Sequence, residues 1–498
     1  MELDLLWLIL AIAAGSYIIV YAFVRRVNEW YHVSKLGEKR HFLPPGDMGW
    51  PFLGNMPSFL RAYRSNNPET FIDSIVERYG RTGVYKTHLF GNPSIIVSSP
   101  QTCRRVLMDD EKFGLGYGKS MTRLAGKNTF VNIAKSEHRR LRKMMTSLMI
   151  SHEALVMYIG NTEDVAIASL EEWAAASKDE PIEFFCETSK LSLKFIMRIL
   201  FGSTSDSIFS SVEKHYIDVH DGVHSTAINL PGFAFHKALK ARKMLVKILQ
   251  KVVDERKAMK KNGEQTAKRG MIDLMMEIED ESGKKLQDED IVDLLIVLLL
   301  GAHDGPTHTI MWATIYLYGH PQILQKAKEE QEEIIKTRPS SQKGLSLQEI
   351  KQMEYLSKVI DETLRLMNLP FLDFREAKTD ANIKGQLLQI MSYTIPKGWK
   401  VLIWNRAVHM DPDNFSAPKE FDPSRWDNNA AEPGSFIPFG GGSRRCLGID
   451  VAKIEVSIFL HYFLLNYKLE QLNPESPIVY LPTTRPSDNC PARVIKLK

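Results

Sequence analysis

The chain has 498 residues, of which 44% are hydrophobic and 25% charged, and its net charge is +4. This is the composition of an ordinary globular protein. The mild charge comes without basic runs that carry interleaved aromatics, so we expect no nucleic-acid partner. The four cysteines, Cys103, Cys186, Cys446 and Cys490, are far apart and form no CxxC pair. Neither a disulfide framework nor a zinc ribbon is therefore expected.

The N-terminal segment is the first predicted element. From Leu5 to Val24 the chain carries no charged residue, and this run is about as long as a helix that crosses a bilayer. Arg25 and Arg26 follow it, so the positive-inside rule places the remainder in the cytosol. A cleaved signal peptide is the alternative, but the basic residues lie on the wrong side of the run. We expect a transmembrane anchor over residues 1–24.

The segment that follows predicts a hinge and then a helical domain. Leu43–Asn55 holds three prolines and three glycines, which predicts stiff, non-helical chain. We therefore divide the protein into the anchor, a basic, proline-rich hinge over 25–55 and a catalytic domain over 56–498.

Within residues 56–498, alternation around a Gly-Asn-Pro turn predicts a β-hairpin over 83–99. Helical periodicity predicts helices over 237–263, 323–338 and 345–367, and strand-like segments return between 374 and 409. The predicted fold is mainly α with small β-sheets.

A helix break is predicted at Gly305 and Pro306, inside an apolar helical run. Proline lacks the N–H that would bond to the carbonyl of Ala302, and its ring clashes with that carbonyl. We therefore expect the helix to open there. Asp304 and Thr307 flank the predicted break.

The most specific pattern is a glycine-rich loop around one cysteine. Glycines allow close backbone approach, and neighbouring arginines and a following helix N-terminus stabilise a thiolate. A buried, inert cysteine is the alternative. The pattern F-x-x-G-x-R-x-C-x-G is matched by Phe439, Gly442, Arg444, Cys446 and Gly448. It resembles the cysteine loop of the cytochrome P450 family, which implies the cytochrome P450 fold, a heme b cofactor and Cys446 as the axial thiolate on the iron.

Other motifs agree with this resemblance. Glu362 and Arg365 lie at i and i+3, as in the E-x-x-R motif of the family, and Arg425 matches the arginine that follows it in the family. Alone, the first pair would be an ordinary surface pair. The resemblance implies that the three residues form a buried ion network that locks the cysteine loop.

Three further residues are candidate heme contacts by the same resemblance. The segment SEHRRLRK resembles the W-x-x-x-R helix of the family, with His138 in the tryptophan place and Arg142 kept. Arg142 and Arg375 are then expected to pair with heme propionates. For His138, a heme contact and a surface histidine are both open.

The predicted helix break coincides with the family's oxygen-activation motif. Gly301, Ala302, His303 and Asp304 fill its first four places, whereas Gly305 stands where the family has threonine. The resemblance places Ala302 beside the heme. Our hypothesis is that Asp304 supplies protons, with Thr307 or a water replacing the missing hydroxyl. The alternative is that these changes fit a bulky substrate.

Several stretches, among them PPGDMGWPFLGN and INLPGFAFHKALKARK, resemble the plant ent-kaurenoic acid oxidases and the related β-amyrin oxidase. This implies a single-pass endoplasmic reticulum protein with a cytosolic catalytic domain. It also implies that the protein oxidises a terpenoid with O2 and electrons from NADPH–cytochrome P450 reductase. We favour a triterpenoid of cucurbitadienol or β-amyrin type. The alternatives are kaurenoic acid oxidation in gibberellin biosynthesis, a heme-thiolate isomerase or dehydratase, and a non-catalytic binding protein.

One stretch departs from these relatives. They run directly from the glycine to the tyrosine of a short hairpin, whereas residues 386–392 intervene here. The segment is fairly apolar, so it is either a surface or membrane contact or the product of a splice variant.

Overall fold

The computed structural model describes residues 2–202, 206–264, 268–385, 392–427 and 431–497. Helix α1 (Glu2–Val33) continues past residue 24, the predicted end of the anchor. Residues 43–55 contain no α-helix, as the prolines and glycines predict. Residues 386–391 of the predicted insertion lie outside the described ranges.

Helices dominate the described chain, as predicted. After α1 they are α2 (Met56–Arg64), α3 (Glu69–Tyr79), α4 (Pro100–Met108), α5 (Lys119–Ala125), α6 (Lys135–Ile150), α7 (His152–Ala176), α8 (Phe184–Phe201), α9 (Asp206–Val223), α10 (Ala234–Lys261), α11 (Met271–Met275), α12 (Asp288–Ala302), α13 (Asp304–Gly319), α14 (Pro321–Thr337), α15 (Leu347–Gln352), α16 (Glu354–Met367), α17 (Asn405–His409) and α18 (Ile449–Asn466).

The strands are short and form small sheets. They are β1 (Val84–Leu89), β2 (Asn92–Val97), β3 (Phe113–Leu115), β4 (Ile182–Glu183), β5 (Asp373–Ala377), β6 (Ala381–Lys384), β7 (Ser392–Ile395), β8 (Lys400–Ile403), β9 (Tyr467–Gln471), β10 (Ile478–Val479), β11 (Arg485–Pro486) and β12 (Pro491–Lys496). The largest described sheet has the order β1-β2-β8-β5-β3, in which only β2 and β8 pair in parallel. A three-stranded sheet has the order β4-β12-β9, and β6-β7 and β10-β11 are two-stranded.

The centre of the helical core is the pair α12 and α13. The two helices run one after the other and break at His303, next to the predicted position. Helix α13 packs against α8, α16 and α18. Among the described residues, the segment Asp288–Gly319 is long and apolar enough to cross a membrane, but 67% of its most apolar window is buried inside the protein. The α12–α13 segment therefore belongs to the protein core here.

Two predicted elements can be compared closely with the structure. The hairpin over 83–99 is confirmed as β1 and β2. The single helix predicted over 345–367 is wrong, because the chain turns at Met353 and forms α15 and α16. The carboxylate of Glu330 accepts the backbone N–H groups of Tyr355 (2.6 Å) and Leu356 (3.0 Å). This contact from α14 caps the N-terminus of α16, and it cannot be predicted from the local sequence.

Candidate functional site

The cysteine loop is a compact turn in front of α18. The backbone N–H of Cys446 donates to the carbonyl of Phe439 at 3.0 Å, and that of Arg445 donates to Gly442 at 3.2 Å. Gly442 has φ of +67°, and a Cβ there would overlap the carbonyl oxygen of Leu107. Only glycine fits this left-handed position against a neighbouring backbone. The loop thereby presents Cys446 just before the N-terminus of α18, which begins at Ile449.

Cys446 is exposed as a whole residue, but protein atoms surround its sulfur. Burial raises the pKa of the thiol, while the backbone N–H of Gly448 and the charges of Arg142 and Arg445 lower it. Burial is the larger effect. Because a thiol that coordinates a metal is deprotonated, a bound iron would overcome this cost.

A cluster of arginines lies around the cysteine. Arg375 is buried on β5, and its guanidinium donates at 3.3 Å to the carbonyl of Phe374. Arg444 donates at 2.8 Å to the carbonyl of Phe130. Burial is the main cause that lowers the pKa of Arg444 and of Arg142, and Arg444 is lowered further by the charges of Arg375 and Arg142. Among the described residues, none of the three arginines forms an ion pair with a carboxylate.

This donor set fits the group that the resemblance implies. Unpaired, partly buried guanidiniums require anions, and heme carries two propionates besides the iron that a thiolate binds. The fit is therefore good in both parts: a cysteine on an exposed residue of the loop, and three cations without carboxylate partners in the described part of the chain.

His138 belongs to this region and is not a surface histidine. It is buried and contacts Phe130 edge-on, with ring centroids 6.0 Å apart. Burial, followed by the charges of Arg444 and Arg142, lowers the pKa of His138 to about 4. The ring is therefore neutral at physiological pH. The surface alternative is wrong, and His138 can serve as a hydrogen-bonding group but not as a cation.

The structure brings Glu362, Arg365 and Arg425 together. Glu362 and Arg365 have no exposed side-chain surface. Arg365 donates to the two carboxylate oxygens of Glu362 at 2.9 and 2.7 Å, and Arg425 donates to the same carboxylate at 3.1 Å. Trp426 adds an indole N–H at 3.2 Å. Sequence reasoning missed this tryptophan, although it adjoins Arg425.

A second histidine connects this network to the cysteine loop. Arg365 donates at 3.0 Å to the carbonyl of His409, and the ring Nε2 of His409 accepts the backbone N–H of Ile437 at 2.9 Å. Burial, with the charge of Arg365 next, lowers the pKa of His409 to about 3, so Nε2 keeps its lone pair. Ile437 lies two residues before Phe439, whose carbonyl holds Cys446. The ion network therefore positions the loop through one backbone contact.

The residues of the predicted oxygen-activation motif lie at the break between α12 and α13. Ala302 ends α12, and a Cβ on either Gly301 or Gly305 would meet no atom within 4 Å. Thr307 is buried and donates to the carbonyl of His303 at 2.8 Å. The same carbonyl also accepts the backbone N–H of Thr307 at 3.3 Å, so the hydroxyl bonds back to its own helix. Ala302, Asp304 and Thr307 therefore all lie within a few residues of the break.

Asp304 has partners that the sequence did not predict. Its Oδ1 lies 3.0 Å from Nε2 of His220 and 3.0 Å from Nδ1 of His303. Burial alone would raise the pKa of Asp304, but these two histidines outweigh burial and hold it well below its usual range. The carboxylate is therefore directed toward α9. His220 is 84 residues away in sequence, so no local pattern could have revealed the contact.

Glu455 on α18, behind the loop, is a buried acid without a role in the network. It is 2% exposed, its Oε1 has no hydrogen-bond partner, and burial raises its pKa well above the usual range. A raised folded-state pKa contributes stability that is lost as pH rises above the unfolded value. Glu455→Gln is expected to raise the melting temperature, with a gain that widens between about pH 5 and pH 8. Calorimetry of the heme-loaded protein measures it.

Glu470→Gln is the control, because Glu470 is exposed on β9. It is expected to leave the melting temperature unchanged across the same range. A Glu455→Gln variant that is less stable at every pH would show that the carboxyl group has a stabilising partner.

The comparisons with known proteins agree with this geometry. The sequence profile of the cytochrome P450 family matches residues 44–486. A solved structure of a retinoic acid-bound cyanobacterial CYP120A1 superposes with a TM-score of 0.77 at 26% identity, covering 91% of this chain and 99% of that one. The chain therefore belongs to the cytochrome P450 family, and its cofactor is a heme whose iron takes an axial cysteine thiolate. It is an oxidoreductase of the monooxygenase type.

Curated relatives match over almost the whole length. The chain is 59% identical to 7,8-epoxymelianol synthase of Ailanthus altissima, covering 100% of this chain and 98% of that protein. It is 52% identical to β-amyrin 11-oxidase of Glycyrrhiza uralensis, covering 97% and 96%. It is 49% identical to ent-kaurenoic acid oxidase 1 of Arabidopsis thaliana, covering 95% and 94%.

Proposed function

We propose that this protein is a membrane-anchored monooxygenase that oxidises a triterpenoid. The observation that carries the proposal is the order of identities to full-length relatives. They are 59% to an epoxymelianol synthase and 52% to a β-amyrin oxidase, against 43–49% to kaurenoic acid oxidases. In such a reaction one oxygen atom of O2 enters the substrate and the other leaves as water. The two electrons come from NADPH through a reductase.

The residues divide into binding and positioning groups. Cys446 holds the iron, and Arg142, Arg375 and Arg444 hold the propionates, since these cations lack carboxylate partners. When bound, the heme supplies the oxygen chemistry. The Glu362–Arg365–Arg425 network fixes the loop through His409 and Ile437. A fixed loop keeps the sulfur in one position without reorganisation during turnover.

The test is production of the full chain in yeast with a plant NADPH–cytochrome P450 reductase. Cucurbitadienol, β-amyrin and ent-kaurenoic acid are each supplied separately. We expect an oxygenated triterpenoid that forms only with NADPH and O2. Conversion of kaurenoic acid alone would contradict the triterpenoid assignment. A product formed without NADPH and O2 would identify an isomerase or dehydratase, and absence of the reduced carbon-monoxide absorption shift would identify a binding protein.

Proton delivery is assigned to Asp304 and Thr307. The Thr307 hydroxyl lies at the helix break, where the family threonine is replaced by Gly305, and it can pass a proton while it accepts another. Thr307→Val keeps the side-chain shape but removes this group. We expect product formed per NADPH consumed to fall roughly tenfold, less than the 10²–10⁴-fold typical of general acid–base catalysis, because water carries part of the proton flow. Parallel assays of NADPH, product and hydrogen peroxide measure it.

Thr314→Val is the control, because Thr314 is a buried threonine further along α13 that bonds to its own helix at 2.7 Å. Its coupling is expected to stay at the parental value. Unchanged coupling in Thr307→Val would remove Thr307 from proton delivery and leave water as the carrier.

Helix α1 is assigned as a single-pass anchor in the endoplasmic reticulum membrane. Large apolar side chains along it, among them Trp7, Ile12, Val20 and Phe23, are exposed. Exposed apolar surface of this extent on one helix is typical of a membrane segment. The basic residues after it place the catalytic domain in the cytosol.

The reductase is assigned to the surface beside the cysteine loop. A concavity of about 450 Å³ there is lined by Arg104, Arg445 and Lys453, among others. Arg104, Arg105 and Arg445 are exposed. None of the three forms an ion pair among the described residues. Unpaired cations suit an acidic partner surface and speed its association.

A further inference from the structure

Four polar side chains, those of His220, His224, His303 and Asp304, come together between α9 and the helix break. Asp304 Oδ1 lies 3.0 Å from His220 Nε2 on α9 and 3.0 Å from His303 Nδ1. His224 Nε2, just after α9, lies 4.0 Å from the other oxygen of Asp304. One ligand atom each from His220, His303 and Asp304 can be chosen so that all lie within 4.8 Å of one another. The group therefore joins two helices through atoms that can each donate a lone pair.

The ring of His303 is held in a way that suits a ligand. Its Nε2 lies 3.1 Å from the carbonyl oxygen of Ser189 and 3.1 Å from the Ser189 hydroxyl. A carbonyl only accepts, so Nε2 is the ring atom that keeps a proton when Nδ1, which faces Asp304, binds a metal. Metal-bound histidines usually donate the second ring N–H to such a carbonyl, which fixes the tautomer and orientation.

The charges around the group favour a cation. Asp221 lies 3.8 Å from Nδ1 of His220, so two carboxylates face the histidines. The largest charge effects on His220 and on Asp304 come from these carboxylates and histidines. The two carboxylates therefore provide negative charge beside the ring nitrogens of the histidines. Negative charge next to nitrogen donors suits a divalent cation.

The distances match a tetrahedral site after a small adjustment. Zinc bonds to nitrogen and oxygen of about 2.0–2.1 Å hold neighbouring donor atoms about 3.3–3.4 Å apart. The two donor pairs observed here are 3.0 Å apart, so each must open by a few tenths of an ångström. Two imidazoles and a carboxylate form a common zinc ligand set, with a fourth position for water or another side chain.

We propose that His220, His303 and Asp304 form a binding site for Zn²⁺, with His224 or a water as the fourth ligand. Nothing in the proposed monooxygenase function requires this ion. When bound, it ties α9 to the break between α12 and α13 and occupies the carboxylate of Asp304. Zn²⁺ is therefore expected to lower turnover by restraining that helix pair and withdrawing the acid from proton delivery.

The experiment is a zinc titration of the chelator-treated, heme-loaded full chain at fixed neutral pH, in competition with a chromophoric chelator. We expect one site per heme. His220→Gln and Asp304→Asn are each expected to weaken zinc binding roughly tenfold or more, since loss of even a hydrogen-bond partner of a ligand costs about 10–100-fold. His215→Gln is the matched control, because His215 lies on the same helix outside the group. It is expected to bind zinc as the parent does.

A spectroscopic readout keeps the assignment independent of activity and of variant folding. Zinc K-edge absorption of the parent protein is expected to show only nitrogen and oxygen neighbours, including imidazole, at about 2.0–2.1 Å. Sulfur neighbours would place the ion on a cysteine and overturn the proposal. So would equal affinities of the parent, His220→Gln and Asp304→Asn, or the absence of a stoichiometric site in the parent.

Discussion

Glu362→Gln is expected to prevent stable heme incorporation. The carboxylate accepts from two arginines and an indole without any exposed surface. Its loss leaves Arg365 buried and unpaired, because an amide carries no compensating charge. Breaking a buried pair on one side costs about 3–5 kcal/mol, a large part of the stability of a domain. Urea unfolding and the heme-to-protein absorbance ratio measure the effect.

Glu187→Gln supplies the matched control for this prediction. Glu187 pairs with Lys190 at 2.7 Å with the same i,i+3 spacing, but the lysine is exposed. Surface pairs contribute about 0–1 kcal/mol, so this variant is expected to load heme normally. Equal losses in the two variants would show that burial of the Glu362 network does not set its contribution.

Cys446→Ser is expected to abolish monooxygenase activity and the absorption shift of the reduced carbon-monoxide complex. A serine hydroxyl has nearly the same size as the thiol, so the loop can keep its Phe439 contact. It does not supply the thiolate that favours O–O cleavage. The reduced carbon-monoxide spectrum and product assays measure the result.

Cys186→Ser is the control, since Cys186 lies on α8 and hydrogen-bonds to Glu183 at 3.0 Å. It is expected to keep both the spectrum and the activity. A thiolate-type spectrum that persists in Cys446→Ser would assign the axial ligand to another cysteine.

The parts of the site that local sequence predicts are those built from contiguous residues. Glycine is required at Gly442 by a left-handed turn against Leu107, and Cys446 lies just before the N-terminus of the helix that follows. Pro306 lacks the N–H that would continue the helix, so the break follows from covalent structure. Glu362 and Arg365 share one helix face. Arg425, by contrast, was identified only through the family resemblance.

The unpredicted parts depend on packing between distant segments. His220 meets Asp304 because α9 crosses the central helices, and nothing near residue 220 shows this. Glu330, which lies on α14, caps the N-terminus of α16. This tertiary contact outweighs the helical periodicity of residues 345–367. The role of His409 follows from its contact with the backbone of Ile437, which the local sequence does not show. Such contacts are set by tertiary structure and cannot be predicted from local propensity or residue spacing.

The end of helix α1 is fastened to the catalytic domain. Asn28 donates to the carbonyl of Met48 at 3.1 Å and accepts from the backbone N–H of Phe52 at 3.2 Å, and Glu29 pairs with Lys86 at 2.5 Å. If α1 spans the bilayer, as we propose, the domain cannot swivel freely on its anchor. Its tilt to the lipid surface is then set by the fold, so the same side of the domain always faces the lipid from which an apolar substrate arrives.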